Sequence, residues 1–191
     1  MTEKLIRCFV AVQVPATVLS AVEQYIKALN KTVSDIHWVK VNGIHVTLKF
    51  LGEIQPALVE QVEEIMVPLS HLYKPFRIKL KGSGCFPNKS KPRVFWLGLE
   101  QDSAKTLSEI HGWIDTNLKP LGFSEEERGF SPHLTIGRVR KPQNFDNLFN
   151  FIEKKPFAEH AFSIEKIDLM RSELKPTGAE YSEIKSYPLQ G

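Results

Sequence analysis

Two short segments concentrate the side chains able to do acid–base chemistry, His45-Val46-Thr47-Leu48 and His133-Leu134-Thr135-Ile136. Side chains alternate faces along a strand, so His45 and Thr47 share one face, with Val46 and Leu48 behind. The same holds for His133 and Thr135 against Leu134 and Ile136. A strand buried on both sides would not spend two positions on His and Thr, so these faces are expected to line a cleft. Imidazoles titrate near neutral pH, where one can accept a proton while the other donates one. A threonine hydroxyl beside each is a neutral donor suited to phosphoryl oxygens. Phosphoryl transfer needs acid and base on opposite sides of phosphorus, which two facing segments supply. One such tetrapeptide is weak evidence, since a given histidine begins one by chance about 1% of the time. Two of six histidines doing so is roughly a one-in-a-thousand coincidence. Either copy alone reads as a buried core histidine; the pair reads as a site.

Each tetrapeptide needs a strand to present it. Ile44 to Leu51, closed by Gly52, and Leu134 to Val139 have that composition, as do Arg7 to Val14, Phe76 to Leu80 and Val94 to Leu99. Further strands are expected near Phe162 to Met170 and Tyr181 to Leu189, and a short one at His37 to Val41 before an Asn42-Gly43 turn. Pro15 and Pro56 open helices whose apolar stripes run through Val18, Leu19, Val22, Tyr25, Ile26 and Leu29, and through Leu58, Val59, Val62, Ile65, Met66 and Leu69. Ser103 reads as the N-cap of a helix carrying Leu107, Ile110, Ile114 and Leu118. A polar loop at Glu125 to Gly129 precedes the second motif, and a short helix at Phe145 to Glu153 follows it. No low-complexity stretch divides the chain. The expected fold is α+β, a single domain over residues 1–191 made of two pseudo-symmetric lobes, each carrying one copy of a duplicated motif.

The residues around the motifs extend the pattern. They include Arg7-Cys8-Phe9-Val10-Ala11, Trp38-Val39, Lys49-Phe50-Leu51-Gly52, Gly84-Cys85-Phe86-Pro87 and Arg93-Val94-Phe95-Trp96-Leu97-Gly98. Phe130-Ser131-Pro132, Gly137-Arg138, Arg171-Ser172-Glu173-Leu174 and Tyr181 complete them. Over nearly its whole length the chain resembles the RNA 2′,3′-cyclic phosphodiesterases, also called 2′-5′ RNA ligases, of the two-histidine phosphoesterase superfamily. The resemblance implies two antiparallel sheets facing each other with helices outside and the active site in the central groove. It implies metal-independent hydrolysis of a terminal RNA 2′,3′-cyclic phosphate to a 2′-phosphomonoester, with weak reverse 2′-5′ joining of tRNA halves. In family terms His45 is the proton donor, His133 the acceptor, and Thr47 and Thr135 hold the non-bridging oxygens. Arg138 and Phe130 are the further candidates for substrate contact. An enzyme acting on 2′-5′-linked oligonucleotides or small cyclic nucleotide phosphates, and a non-catalytic module binding RNA ends, are the competing readings.

Regular alternation argues against two neighbours of the motifs. Arg138 lies five residues after His133 and points away from it on an unbroken strand, and Phe50 shares parity with core-facing Val46 and Leu48. His37, His71, His111 and His160 have no repeated context, and no metal-ligand spacing or phosphate-binding glycine loop is present, so neither metal nor cofactor is expected. Lys79, Lys81, Lys89, Lys91 and Arg93 read either as an RNA-backbone track or as a solvated loop.

Composition sets the outer bounds. The 191 residues are 42% apolar, and 25 Lys+Arg against 22 Asp+Glu leave a charge of +3. That excludes a disordered or coiled-coil chain, and no apolar run approaches the ~20 residues of a membrane span. The N-terminal residues enter a strand pattern with no signal-peptide core, and Cys8 and Cys85 read as reduced thiols. A cytoplasmic, monomeric protein that grips one RNA end is the expectation, the modest charge being too small to coat a long duplex.

Overall fold

The β-branched and aromatic run at the start forms β1 (Ile6–Gln13), and Pro15 then turns the chain into α1 (Ala16–Leu29), whose Val18, Val22, Ile26 and Leu29 are buried. The computed structural model describes residues 4–125, 129–176 and 178–191. The remaining elements are β2 (Ile36–Trp38), β3 (His45–Ile54), α2 (Pro56–Leu72), β4 (Phe76–Phe86), β5 (Val94–Leu99), α3 (Gln101–Leu118), β6 (Leu134–Val139), α4 (Asp146–Lys154), β7 (His160–Ile164), β8 (Lys166–Lys175) and β9 (Gly178–Pro188). One expected strand, Phe162 to Met170, is two: β7 and β8 pair with different partners. Ser103 lies inside α3 and is not its cap. Its hydroxyl accepts the Lys79 backbone N–H at 2.9 Å, tying α3 to β4. The expected polar loop lies partly outside the described residues.

The strands form two antiparallel arms, β3-β1-β8-β9 and β6-β5-β4-β7, with β2 added to β6. The two arms meet between β3 and β6 through one paired position, Val46 opposite Leu134. This is the bilobal α+β arrangement, with one copy of the motif at the inner edge of each arm.

The lobes are not consecutive halves of the chain. The strand after α2, β4, pairs with β5 in the second arm, while β8 near the C-terminus pairs with β1 in the first. Each arm is therefore completed by chain from the other half. A single apolar cluster, including Val10, Val22, Met66, Leu97, Ile114, Leu134 and Leu169, runs beneath both arms, so they share one core. Burial of that many aliphatic side chains, each worth about 1.5–3 kcal/mol, fixes the arms against the helices. The opposite face of the first arm carries a small separate cluster of Phe9, Ala11 and Met170. The motif side chains lie on that second face.

Candidate active site

Val46 and Leu134 are fully buried in the shared core. Strand alternation then turns His45, Thr47, His133 and Thr135 to the other face. Because β3 and β6 run antiparallel through Val46 and Leu134, His45 is level with Thr135 and His133 with Thr47. The four side chains are related by a pseudo-twofold axis through the one paired position. Each imidazole is held alike. His45 Nδ1 donates to the carbonyl of Gly43 at 2.9 Å, and His133 Nδ1 donates to the carbonyl of Ser131 at 2.7 Å. A carbonyl only accepts, so the proton sits on Nδ1 in both neutral rings and Nε2 carries none.

Aromatic rings pack both imidazoles. Phe9 stacks on His45 with centroids 4.7 Å apart, and Tyr181 meets His45 edge-on at 5.0 Å. Phe86 meets His133 edge-on at 5.1 Å and leans on Trp96 at 5.2 Å. Trp96 in turn lies over Gly84, where an added Cβ would fall 2.4 Å from its ring, so only glycine admits this packing. This apolar surround moves the titrations. Burial pushes His45 down to about 4, opposed by its hydrogen bond to Gly43. Burial also holds His133 below its ordinary value; the Ser131 carbonyl opposes that shift and the Arg138 guanidinium adds to it. Both rings are thus neutral in the free protein at neutral pH.

Both motif strands break their alternation at the same place. In β3, Thr47 pairs with Ala11 and Lys49 with Val10, leaving Leu48 as an extra residue. In β6, Thr135 pairs with Trp96 and Gly137 with Phe95, leaving Ile136 extra. Each bulge falls on the last residue of its tetrapeptide and reverses the parity beyond it. Phe50 and Arg138, each five residues past its histidine, are therefore returned to the histidine face. Phe50 is not a core residue as alternation predicts: it is 62% exposed, with its ring 6.3 Å from Phe9. Arg138 is exposed beside His133, close enough to lower its proton affinity.

The site's scaffold matches known proteins. The model of the 2'-5' RNA ligase superfamily matches residues 5–176. The chain belongs to that superfamily. A Methanocaldococcus jannaschii protein named RNA 2',3'-cyclic phosphodiesterase is 35% identical, covering 95% of this chain and 99% of its own. A Methanothermobacter thermautotrophicus protein of the same name is 31% identical over 96% and 99%. Among solved structures, the Thermus thermophilus protein TT0787 superposes with a TM-score of 0.82 at 26% identity, covering 97% of this chain and 99% of that one. Escherichia coli LigT complexed with 3'-AMP shares the fold at a TM-score of 0.76 and 19% identity, covering 98% and 100%.

Within this member of the 2'-5' RNA ligase superfamily the other candidates are dispersed. One face of Phe130 is occupied by His111, with ring centroids 4.2 Å apart and planes 11° from parallel. Lys79 pairs with Glu100 and Glu159, Lys81 with Glu159, and Lys89 with Glu153, so three of the five basic residues in the expected track already face carboxylates. Two groups escape a reading of the sequence alone. Gln13 lies opposite His45 and donates to the fully buried Asp168 at 2.8 Å, and the Ser186 hydroxyl also bonds that carboxylate. The packing of Tyr181 and Phe86 on the histidines depends on a register between distant strands, for which the chain carries no local signal. Cys8 and Cys85 are both free thiols.

Proposed function

We propose that this chain hydrolyses the terminal 2′,3′-cyclic phosphate of RNA to a 2′-phosphomonoester. The observation that carries the reading is the pseudo-twofold set His45, Thr47, His133 and Thr135, with both Nδ1 atoms tied back and neither Nε2 hydrogen-bonded among the described residues. The relatives named RNA 2',3'-cyclic phosphodiesterase support the same reaction. His133 Nε2 takes a proton from water as the water oxygen attacks phosphorus. Thr47 and Thr135 hold the non-bridging oxygens. The P–O3′ bond breaks in line, and O3′ takes the proton from His45 Nε2, leaving a 3′-hydroxyl and a 2′-phosphate.

His45 enters this cycle neutral and gains its proton with the substrate. The anionic phosphate placed beside Nε2 favours the imidazolium that burial disfavours. Arg138 meets the substrate's negative charge, and Phe50 offers an exposed ring on which a terminal base stacks. Both motifs come from one chain, so a monomer holds the complete site. Cyclic-phosphate ends of the kind left on cleaved tRNA halves, in the cytoplasm, are the substrates this site takes. No helix among the described residues is long and apolar enough to cross a membrane. Hydrolysis of a cyclic-phosphate-ended oligonucleotide, abolished in His45→Ala and His133→Ala, tests the proposal; near-wild-type turnover in either variant would overturn it.

A further inference from the structure

The two bulged motif strands are held relative to each other by a buried polar cluster outside the groove. His111, only 8% exposed on the inner side of α3, reaches the first motif and the residues just before the second. Its Nδ1 donates to the carbonyl of Leu48, the bulge residue of the first motif, at 2.8 Å. Its ring stacks on Phe130, three residues before His133, at 4.2 Å. Its Nε2 lies 3.5 Å from Asp115, one turn further along the helix. Asp115 also pairs with Lys49, the residue after the bulge, which is 5% exposed and whose Nζ donates to the Ser124 carbonyl. Lys49 therefore holds Ser124, and His111 holds Phe130 just before the second motif.

We propose that His111 is a positioning residue, setting the first motif's bulge and the second motif's approach segment from one ring and thereby fixing His45 and His133 relative to each other. Two contacts transmit this. The Leu48 carbonyl fixes the parity reversal that follows Thr47, and Phe130 adjoins Ser131, whose carbonyl accepts from His133 Nδ1 at 2.7 Å. Loss of the ring loosens the carbonyl that sets the His133 tautomer, so the base's Nε2 is no longer reliably unprotonated and aimed at water. Misplacement of an acid–base pair by a fraction of an ångström lowers turnover and leaves ground-state binding nearly intact. His111 touches no reacting atom in this scheme.

The inference rests on the hydrolytic reading, and the test separates the two. Steady-state kinetics on an RNA oligonucleotide ending in a 2′,3′-cyclic phosphate compare wild type, His111→Ala, His111→Asn and Phe130→Leu, each checked for folding by circular dichroism. His111→Ala is expected to lose roughly ten- to hundred-fold in kcat with KM within about two-fold. His111→Asn, which keeps a donor for the Leu48 carbonyl, is expected to recover part of that loss. Long-range 1H–15N NMR of the histidines needs no turnover, and it should show His133 as the single Nδ1–H tautomer in wild type and as mixed tautomers in His111→Ala and Phe130→Leu. No turnover in wild type with the tautomer change present would sink the hydrolytic reading and leave the positioning role standing. Wild-type kcat in folded His111→Ala, or an unchanged His133 tautomer in both variants, would overturn the positioning role.

Discussion

The low proton affinity of His45 makes stability depend on pH in a way that one substitution removes. Burial among Phe9, Tyr181 and the groove wall lowers its pKa from the ordinary 6.5 to about 4. Between those values the unfolded chain binds a proton that the folded protein excludes. This contribution to stability is fully present above about 6.5, is lost as pH falls, and levels off below about 4. At about pH 4.5 the two values convert to a loss of about 2.6 kcal/mol, which partial exposure of the ring reduces to about 2 kcal/mol. His45→Gln cannot titrate. Urea unfolding at about pH 7.5 and about pH 4.5 should show wild type losing about 2 kcal/mol more than His45→Gln across that interval. Equal losses within about 0.5 kcal/mol would refute the argument, because a ring that charges freely in the folded state contributes no such slope. Saturating inorganic phosphate should shrink the wild-type loss, since an anion in the groove restores the proton that burial expels.

Other consequences follow from the same geometry. With both histidines below their ordinary values in the free protein, the bell-shaped profile of kcat/KM should peak on the acid side of 6.5, while the kcat profile lies at higher pH because bound phosphate favours the imidazolium; coincident profiles centred above 7 would count against it. Phe50→Ala removes an exposed ring, so KM for a cyclic-phosphate oligonucleotide should rise roughly ten-fold with thermal stability unchanged, as loss of one base stack worth about 1–3 kcal/mol requires. An alanine Cβ at Gly137 would lie 2.8 Å from Ile36 Cγ2 and 2.9 Å from the Trp38 ring; Gly137→Ala should therefore cost about 1–3 kcal/mol in chemical denaturation and weaken the bulge that presents Arg138. Among the described residues no three His, Cys, Asp or Glu side chains are grouped to hold a metal ion, and turnover is expected to survive a chelator.

Most elements and the chemistry are legible from type and spacing, whereas the relations between strands are not. Alternation around His45 and His133 is enough to turn both pairs to one face, and β6 runs over the residues its composition predicts, Leu134–Val139. Past Thr47 and Thr135 the same rule fails, because Leu48 and Ile136 are bulges. A bulge is a mismatch between two strands, and neither strand alone records it. Unbroken alternation therefore assigns Phe50 to the core and turns Arg138 from the site, although both face the histidines. Ser103 has the composition of a cap but bonds a neighbouring strand instead, a tertiary contact overriding a local preference. The duplication of motifs is visible in the chain, while the exchange of β4 and β8 between arms depends on pairing across most of its length.

The most direct measurement is phosphorus NMR of an RNA oligonucleotide ending in a 2′,3′-cyclic phosphate, incubated with wild type, His45→Ala and His133→Ala in the presence of chelator. Wild type alone should convert the cyclic resonance to that of a 2′-phosphomonoester. A 3′-phosphate product would reverse the roles given to His45 and His133, and an untouched cyclic phosphate with wild type would contradict the function itself.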